Sequence, residues 1–191
     1  MSIVQTSAPS VEPVTTSDQK DWMRVDGSDE DTLIGNLAAA SRAYVEMSTG
    51  RQMITATWQY KINDFPTGDI VLPISPLQSV TSVQYVDTDG ATQTWSNTLY
   101  TVDTASDIGR IRPNYDEDYP TTRGYKQDIT ITFVAGYGDA ASDVPDTALT
   151  AIKLLASNWF ENRESNAPIA LNEVPMALQT LIWALKDGTA V

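Results

Sequence analysis

Residues 28–62 read SDEDTLIGNLAAASRAYVEMSTGRQMITATWQYKI, and the spacing of their apolar side chains changes once, near Met53. Before that point Leu33, Leu37, Ala40 and Tyr44 form one stripe, with Ile34, Ala38, Ser41 and Val45 on the stripe beside it. This is the 3.6-residue period of an amphipathic helix. Ser28 stands where an N-cap belongs, and Asp29, Glu30 and Asp31 put carboxylates at the positive end of the helix dipole. Gly50 suits the left-handed residue that ends a helix. Beyond Met53 the period is two: Ile54, Ala56, Trp58, Tyr60 and Ile62 alternate with Thr55, Thr57, Gln59 and Lys61, as in a half-buried strand.

Strand signals continue downstream. Ile70-Val71-Leu72 is closed by Pro73, and the segment Val80–Val86 alternates up to Asp87-Thr88-Asp89-Gly90, whose Asp-Gly pair predicts a hairpin turn. Short strands are expected at Thr92–Trp95, Tyr100–Val102 and Arg110–Arg112, then an irregular loop around Asn114–Lys126, then a strand at Ile129–Val134. No helical segment separates these strands, so the unit reads as antiparallel.

Helical spacing returns after Pro145, a residue suited to a helix start, with Leu149, Ile152, Ala156, Trp159 and Phe160 on one face. Pro175 opens a last helix carrying Leu178, Leu181, Ile182 and Leu185. Upstream of Ser28, Thr16 and Gln19 fit a capping box for a short helix in which Trp22 and Met23 supply apolar surface. Residues 1–13, rich in Ser, Thr and Pro, read as a flexible arm. Neither helical half is large enough to make a core alone, so the two are expected to pack together. The expected class is α+β: a helical bundle from about 16–50 and 145–187, with an antiparallel β insert at about 53–138, in a single domain spanning 14–191.

The chain has 191 residues, 41% of them hydrophobic, and neither cysteine nor histidine. That excludes disulfides, thiol nucleophiles, Cys/His zinc sites and the commonest general base. Twenty-five acidic against 12 basic residues give a net charge of −13, spread along the chain with no basic cluster of the kind that grips phosphate backbones. No apolar run is long enough to cross a membrane, and the first residues lack the features of a secretory signal, so a soluble product made in the cytoplasm is expected.

Catalytic motifs are absent. There is no phosphate-binding glycine loop and no G-x-S-x-G; Gly136-Tyr137-Gly138 after a strand is too little to mark a nucleotide site. Asp87 and Asp89 begin like a calcium loop, but the later ligands are missing and turn chemistry accounts for them. Asp116, Glu117 and Asp118 read as a solvated loop. Neither a metal nor a cofactor is expected. Most aromatic residues fall on buried faces; Trp183, off the apolar stripe of the last helix, suggests a partner surface.

Several stretches, in order, resemble the head–tail connector (adaptor) family of long-tailed bacteriophages and gene transfer agents. They are Arg24–Asp31 leading into the helix Leu33–Thr49 and Gly50-Arg51, then Pro73–Val83 with Tyr85-Val86-Asp87, Thr132–Gly138, and Trp159–Glu164. The resemblance implies a structural, non-enzymatic virion protein of the neck. It implies a closed ring, typically of twelve copies, between the portal protein and a tail-side stopper, through which viral DNA passes without specific binding. It places the C-terminal part against the portal, which here means Trp183, Lys186, Asp187 and Val191. An acidic wall would keep DNA from adhering, with Asp29, Glu30, Asp31 and Glu46 as channel-lining candidates. A stopper protein and a secreted carbohydrate-binding domain are the alternative readings. The long helices at both ends argue against the first. The lack of an export signal and of an exposed aromatic platform argues against the second.

Overall fold

The computed structural model describes residues 1–162 and 176–186. Contacts divide the chain into two compact units: Met1–Ser10 with Thr55–Tyr137, and Val11–Ile54 with Gly138–Val191. The first is the β unit and the second the helical unit. The helical segments and the β insert expected within 14–191 correspond to these two units. Their boundaries fall where the apolar period changes, at Ile54/Thr55 and Tyr137/Gly138.

The β unit holds eight strands: β1 (Ser2–Ser7), β2 (Ala56–Ile62), β3 (Ile70–Val71), β4 (Leu77–Val86), β5 (Thr92–Trp95), β6 (Tyr100–Asp103), β7 (Arg110–Pro113) and β8 (Ile129–Ala135). They form a five-stranded sheet in the order β1-β2-β8-β4-β5 and a three-stranded sheet in the order β3-β7-β6. Every strand pair is antiparallel, as expected. β8 lies at the centre of the larger sheet because Ile129, Ile131, Phe133 and Ala135, all buried, give it a fully apolar face. Trp95, Tyr100, Ile111, Leu72 and Ile70 complete that core, with Phe65 stacked on Tyr119 at 4.8 Å between ring centres. β4 carries two register shifts, at Leu77/Ser79 and Val80/Ser82, which break its alternation. Gly109 is buried where a Cβ would run into the Leu77 side chain, so only glycine fits there.

The flexible arm expected over residues 1–13 is corrected. Ser2–Ser7 is a strand, paired from Ser2 opposite Lys61 to Ser7 opposite Thr57. Its partner lies some fifty residues away in sequence, so no local pattern announces it. Its Ser and Thr are compatible with an exposed edge strand as well as with a loop.

The helical unit holds α1 (Thr16–Met23), α2 (Asp31–Thr49), α3 (Asp146–Glu161) and α4 (Met176–Lys186). The N- and C-terminal helices pack on one another, as the halves were expected to do. The buried stripe of α2 is Ile34, Ala38, Ser41 and Val45, the second of the two stripes read from the sequence, while Leu33 is exposed. α3 contributes Ala148, Ala151, Ile152, Leu155 and Ala156, and α4 contributes Leu178, Ile182 and Leu185. Tyr44 of α2 meets Trp159 of α3 edge to face at 6.2 Å. In the middle of this packing Gly35 lets α2 approach α1 so closely that a Cβ would press on Thr16 Oγ1.

Three local expectations move. The capping box exists one residue earlier: Thr15 Oγ1 accepts from Asp18 N at 3.1 Å, and the Asp18 carboxylate accepts from Thr15 N at 3.0 Å. Ser28 does not cap α2; residues 28–30 form a turn in which Asp31 N donates to the Ser28 carbonyl, and the helix begins at Asp31. Trp22 is 47% exposed, because Gln19 takes the buried position of α1. The Gln19 amide donates to the Lys153 carbonyl at 3.2 Å and to Ser157 Oγ at 3.0 Å.

Candidate functional site

The described residues singled out from the sequence lie on α4 and about α2, and the outer edges of the larger sheet make a third surface. On α4 the buried Leu178, Ile182 and Leu185 leave an opposite face on which Met176 is 84% and Trp183 71% exposed, seven residues apart and hence on one side of the helix. Lys186 is also exposed. The end of α4 is tied down: Arg51, itself buried, donates from Nε to the Leu185 carbonyl at 2.5 Å, supplying one of the partners that a helix C-terminus lacks. Trp183 and Lys186 therefore project from a fixed helix. Asp187 and Val191 lie outside the described residues.

The second surface is α2. Asp29 is exposed, Glu30 half-buried, and Asp31 pairs with Lys20 at 2.6 Å. These carboxylates gather at the N-terminal end of the helix. Glu46 does not join them. Its carboxylate is turned inward, accepting from Arg42 Nη1 at 2.5 Å, Gln52 Nε2 at 2.8 Å and Met53 N at 3.0 Å. Arg42 also donates from Nε to Glu12 at 2.7 Å. Burial pushes the Glu46 carboxyl above its usual range, and the Arg42 charge offsets this only in part. Glu46, expected among the channel-lining residues, has its carboxylate oxygens occupied by donors of the helical unit. The exposed positions of α2 past its start are Thr32, Leu33, Asn36, Ala40, Ala43 and Met47, and none is charged. Reading α2 at spacings of three and four would have shown this uncharged face from the sequence.

The third surface is the pair of outer edges of the five-stranded sheet. β1 presents Ile3 and Val4 to solvent, and β5 presents Thr92, Gln93 and Thr94. Sequence reasoning missed β1 altogether: residues 1–11 carry no charged side chain, which suits an edge strand and a loop alike.

Elsewhere the carboxylates do structural work. Asp87 Oδ1 accepts from Asp89 N and Ala91 N, closing the β4–β5 hairpin with Gly90 at φ +83°. These bonds, with one from Gln93, hold the Asp87 carboxyl below its usual range. Asp69 pairs with Arg112 at 2.6 Å. Asp128 is buried and accepts from Arg123 and from Tyr125 N, and the Arg123 guanidinium lowers its pKa. Among the described residues no three acidic groups converge as metal ligands would, and no helix is long and apolar enough to cross a membrane.

No protein-family model matches the chain, and no curated protein matches it. Solved structures do. A chain in the neck of an empty gene transfer agent particle, computed with C6 symmetry, superposes with a TM-score of 0.81 at 22% identity, covering 97% of this chain and 95% of that one. A chain in the virion of a native gene transfer agent particle matches with a TM-score of 0.81 at 21% identity over the same shares. The fold occurs in particle necks. A third match, to the native neck computed with C12 symmetry, has a TM-score of 0.74 at 22% identity. At these identities the likeness establishes the shared fold, and it runs through both units of the chain.

Proposed function

We propose that this chain is a structural subunit of the neck of a tailed phage or gene-transfer-agent particle. In this reading it is a non-enzymatic adaptor that forms a ring between the portal protein and a tail-side stopper. The observation that carries the reading is the match of 97% of the chain, at a TM-score of 0.81, to a chain of a particle neck. Neck structures computed with C6 and C12 symmetry contain this fold, which fits a cyclic assembly of many copies, with twelve the expected number.

The surfaces fit the same role. Trp183 and Lys186, on the exposed face of α4, form the portal contact together with Asp187 and Val191 of the tail. Asp29, Glu30 and Asp31 line the DNA channel. A charge of −13 per copy repels phosphate, so the duplex passes without being held. The protein is made in the host cytoplasm and ends in the virion neck.

The test is assembly on the portal. The purified chain, mixed with its portal, is expected to give a closed ring coaxial with it in electron micrographs and a matching mass. A chain that forms no ring on the portal or in particles overturns the reading; a monomer free in solution does not, since such rings can form only on their platform. A ring seated on the far, tail-facing side of another ring would instead indicate a stopper.

A further inference from the structure

The four outer edges of the two sheets are not alike. In the three-stranded sheet, edge β3 is two residues long, and edge β6 ends in Asp103. Short strands and charges of this kind are how proteins stop an edge from recruiting another strand. The five-stranded sheet has weaker guards: β5 is four residues long and β1 shifts register between Gln5 and Ser7, but neither edge carries a charge. Its edge β1 reads SIVQTS and its edge β5 reads TQTW, with no charge and no proline in either. In β1, Val4 is 53% exposed.

Each copy carries −13, so copies repel one another wherever their acidic surfaces meet. Neutral patches are where contact costs least. A cyclic ring is also built from heterologous contacts, in which one surface of a copy meets a different surface of the next. Two uncharged, proline-free edges at opposite ends of one sheet satisfy both conditions. Four antiparallel steps separate β1 from β5, so the two strands run in the same direction.

Resting on the ring reading above, we infer that β5 of one copy pairs with β1 of the next as a parallel strand junction, so that the sheets of neighbouring subunits join edge to edge. Main-chain hydrogen bonds supply the contact, and the Ser, Thr and Gln side chains leave no like charges opposed across it. A parallel junction only four residues long is weak by itself, which suits a ring that closes on a platform rather than in free solution.

The chain has no cysteine, so introduced pairs report cleanly. Four double variants are made, combining Ile3→Cys or Val4→Cys with Gln93→Cys or Thr94→Cys, to cover both faces of the junction. They are assembled on the portal, imaged, oxidised and run on non-reducing gels. The expected result is a ladder of covalent multimers from at least one pair, with no ladder from the single variants. In parallel, Val4→Lys with Thr94→Lys is expected to weaken ring assembly at least tenfold while leaving the monomer's melting temperature unchanged. If rings form and all four pairs stay monomeric, the junction is wrong and the ring reading stands. If Val4→Cys alone gives dimers, β1 pairs with β1 about a two-fold axis and the junction is likewise overturned. If no ring forms, both readings fall together.

Discussion

Both units bury large side chains, Phe133, Ile111, Ile129 and Ile131 among them in the β unit and Ile34, Met53, Ile152 and Leu178 in the helical unit, but the helical unit adds the small Ala38, Ala148, Ala151 and Ala156 where its helices meet. Among the described residues, four of the six buried polar ones, Gln19, Ser41, Arg51 and Gln52, belong to the helical unit. Three of them make directed contacts: Gln19 bridges α1 to α3, Arg51 holds the end of α4, and Gln52 supports Glu46. The β unit thus adds to its apolar area one buried carboxylate, Asp128, held by Arg123 and the Tyr125 amide. The helical unit relies on more such directed bonds, each of which can be removed singly.

That contrast breaks or sharpens under substitution. The largest expected effect is in the β core: Phe133→Ala should cost about 3–5 kcal/mol, read from denaturant unfolding. In the helical unit Arg42→Met should cost about 1.5–3 kcal/mol, because it leaves the Glu46 carboxylate poorly solvated and without its partner. Adding Glu46→Gln should recover much of that loss; a double variant no better than Arg42→Met would mean that the pair is not what holds this corner. Thr15→Ala should cost about 1 kcal/mol through loss of the cap. Trp183→Ala should change stability by less than about 0.5 kcal/mol yet reduce portal binding, measured by co-sedimentation.

Acidification separates the groups further. The Thr15 hydroxyl holds the Asp18 carboxyl below its usual range, and the Arg123 guanidinium does the same for Asp128. A folded pKa below the unfolded one gives stability that is complete above the ordinary carboxylate range and lost as pH falls through the lowered value. Glu46 runs the other way: its pKa is raised by burial, so its own contribution to stability grows as pH falls through that value. Melting temperature against pH should therefore drop on the acid side. Asp18→Asn and Asp128→Asn should each flatten the drop, and Glu46→Gln should steepen it.

Much of the fold was legible because its signals are local. The strand expected at Thr92–Trp95 is β5 to the residue, Ile129–Val134 is β8 less one residue, and the apolar stripe of the last helix is the buried face of α4. Local alternatives explain the near misses: Thr15 and Thr16 are adjacent hydroxyls, and the one with Asp18 three positions on forms the box. Long-range facts were not legible. Nothing near Ser2–Ser7 names β2 as its partner, and the pairing of β3 with β7 joins Ile70 to Ile111. Of the candidate site, Trp183 was visible as an apolar residue off its stripe. The setting of Glu46 was not, because its carboxylate is held by Gln52 and the Met53 amide beyond the helix as well as by the neighbouring Arg42, which Glu12 shares.

The bond from Arg51 to the Leu185 carbonyl also sets how the molecule carries tension. Arg51 directly follows Gly50, the residue that ends α2. A pull applied at Lys186, one residue past Leu185, reaches the end of the long helix directly through the Arg51 guanidinium, alongside the packing of α4 on α2 and α3. Replacing Arg51 would remove that strut, and α4 would yield at lower force while the rest of the bundle stayed loaded.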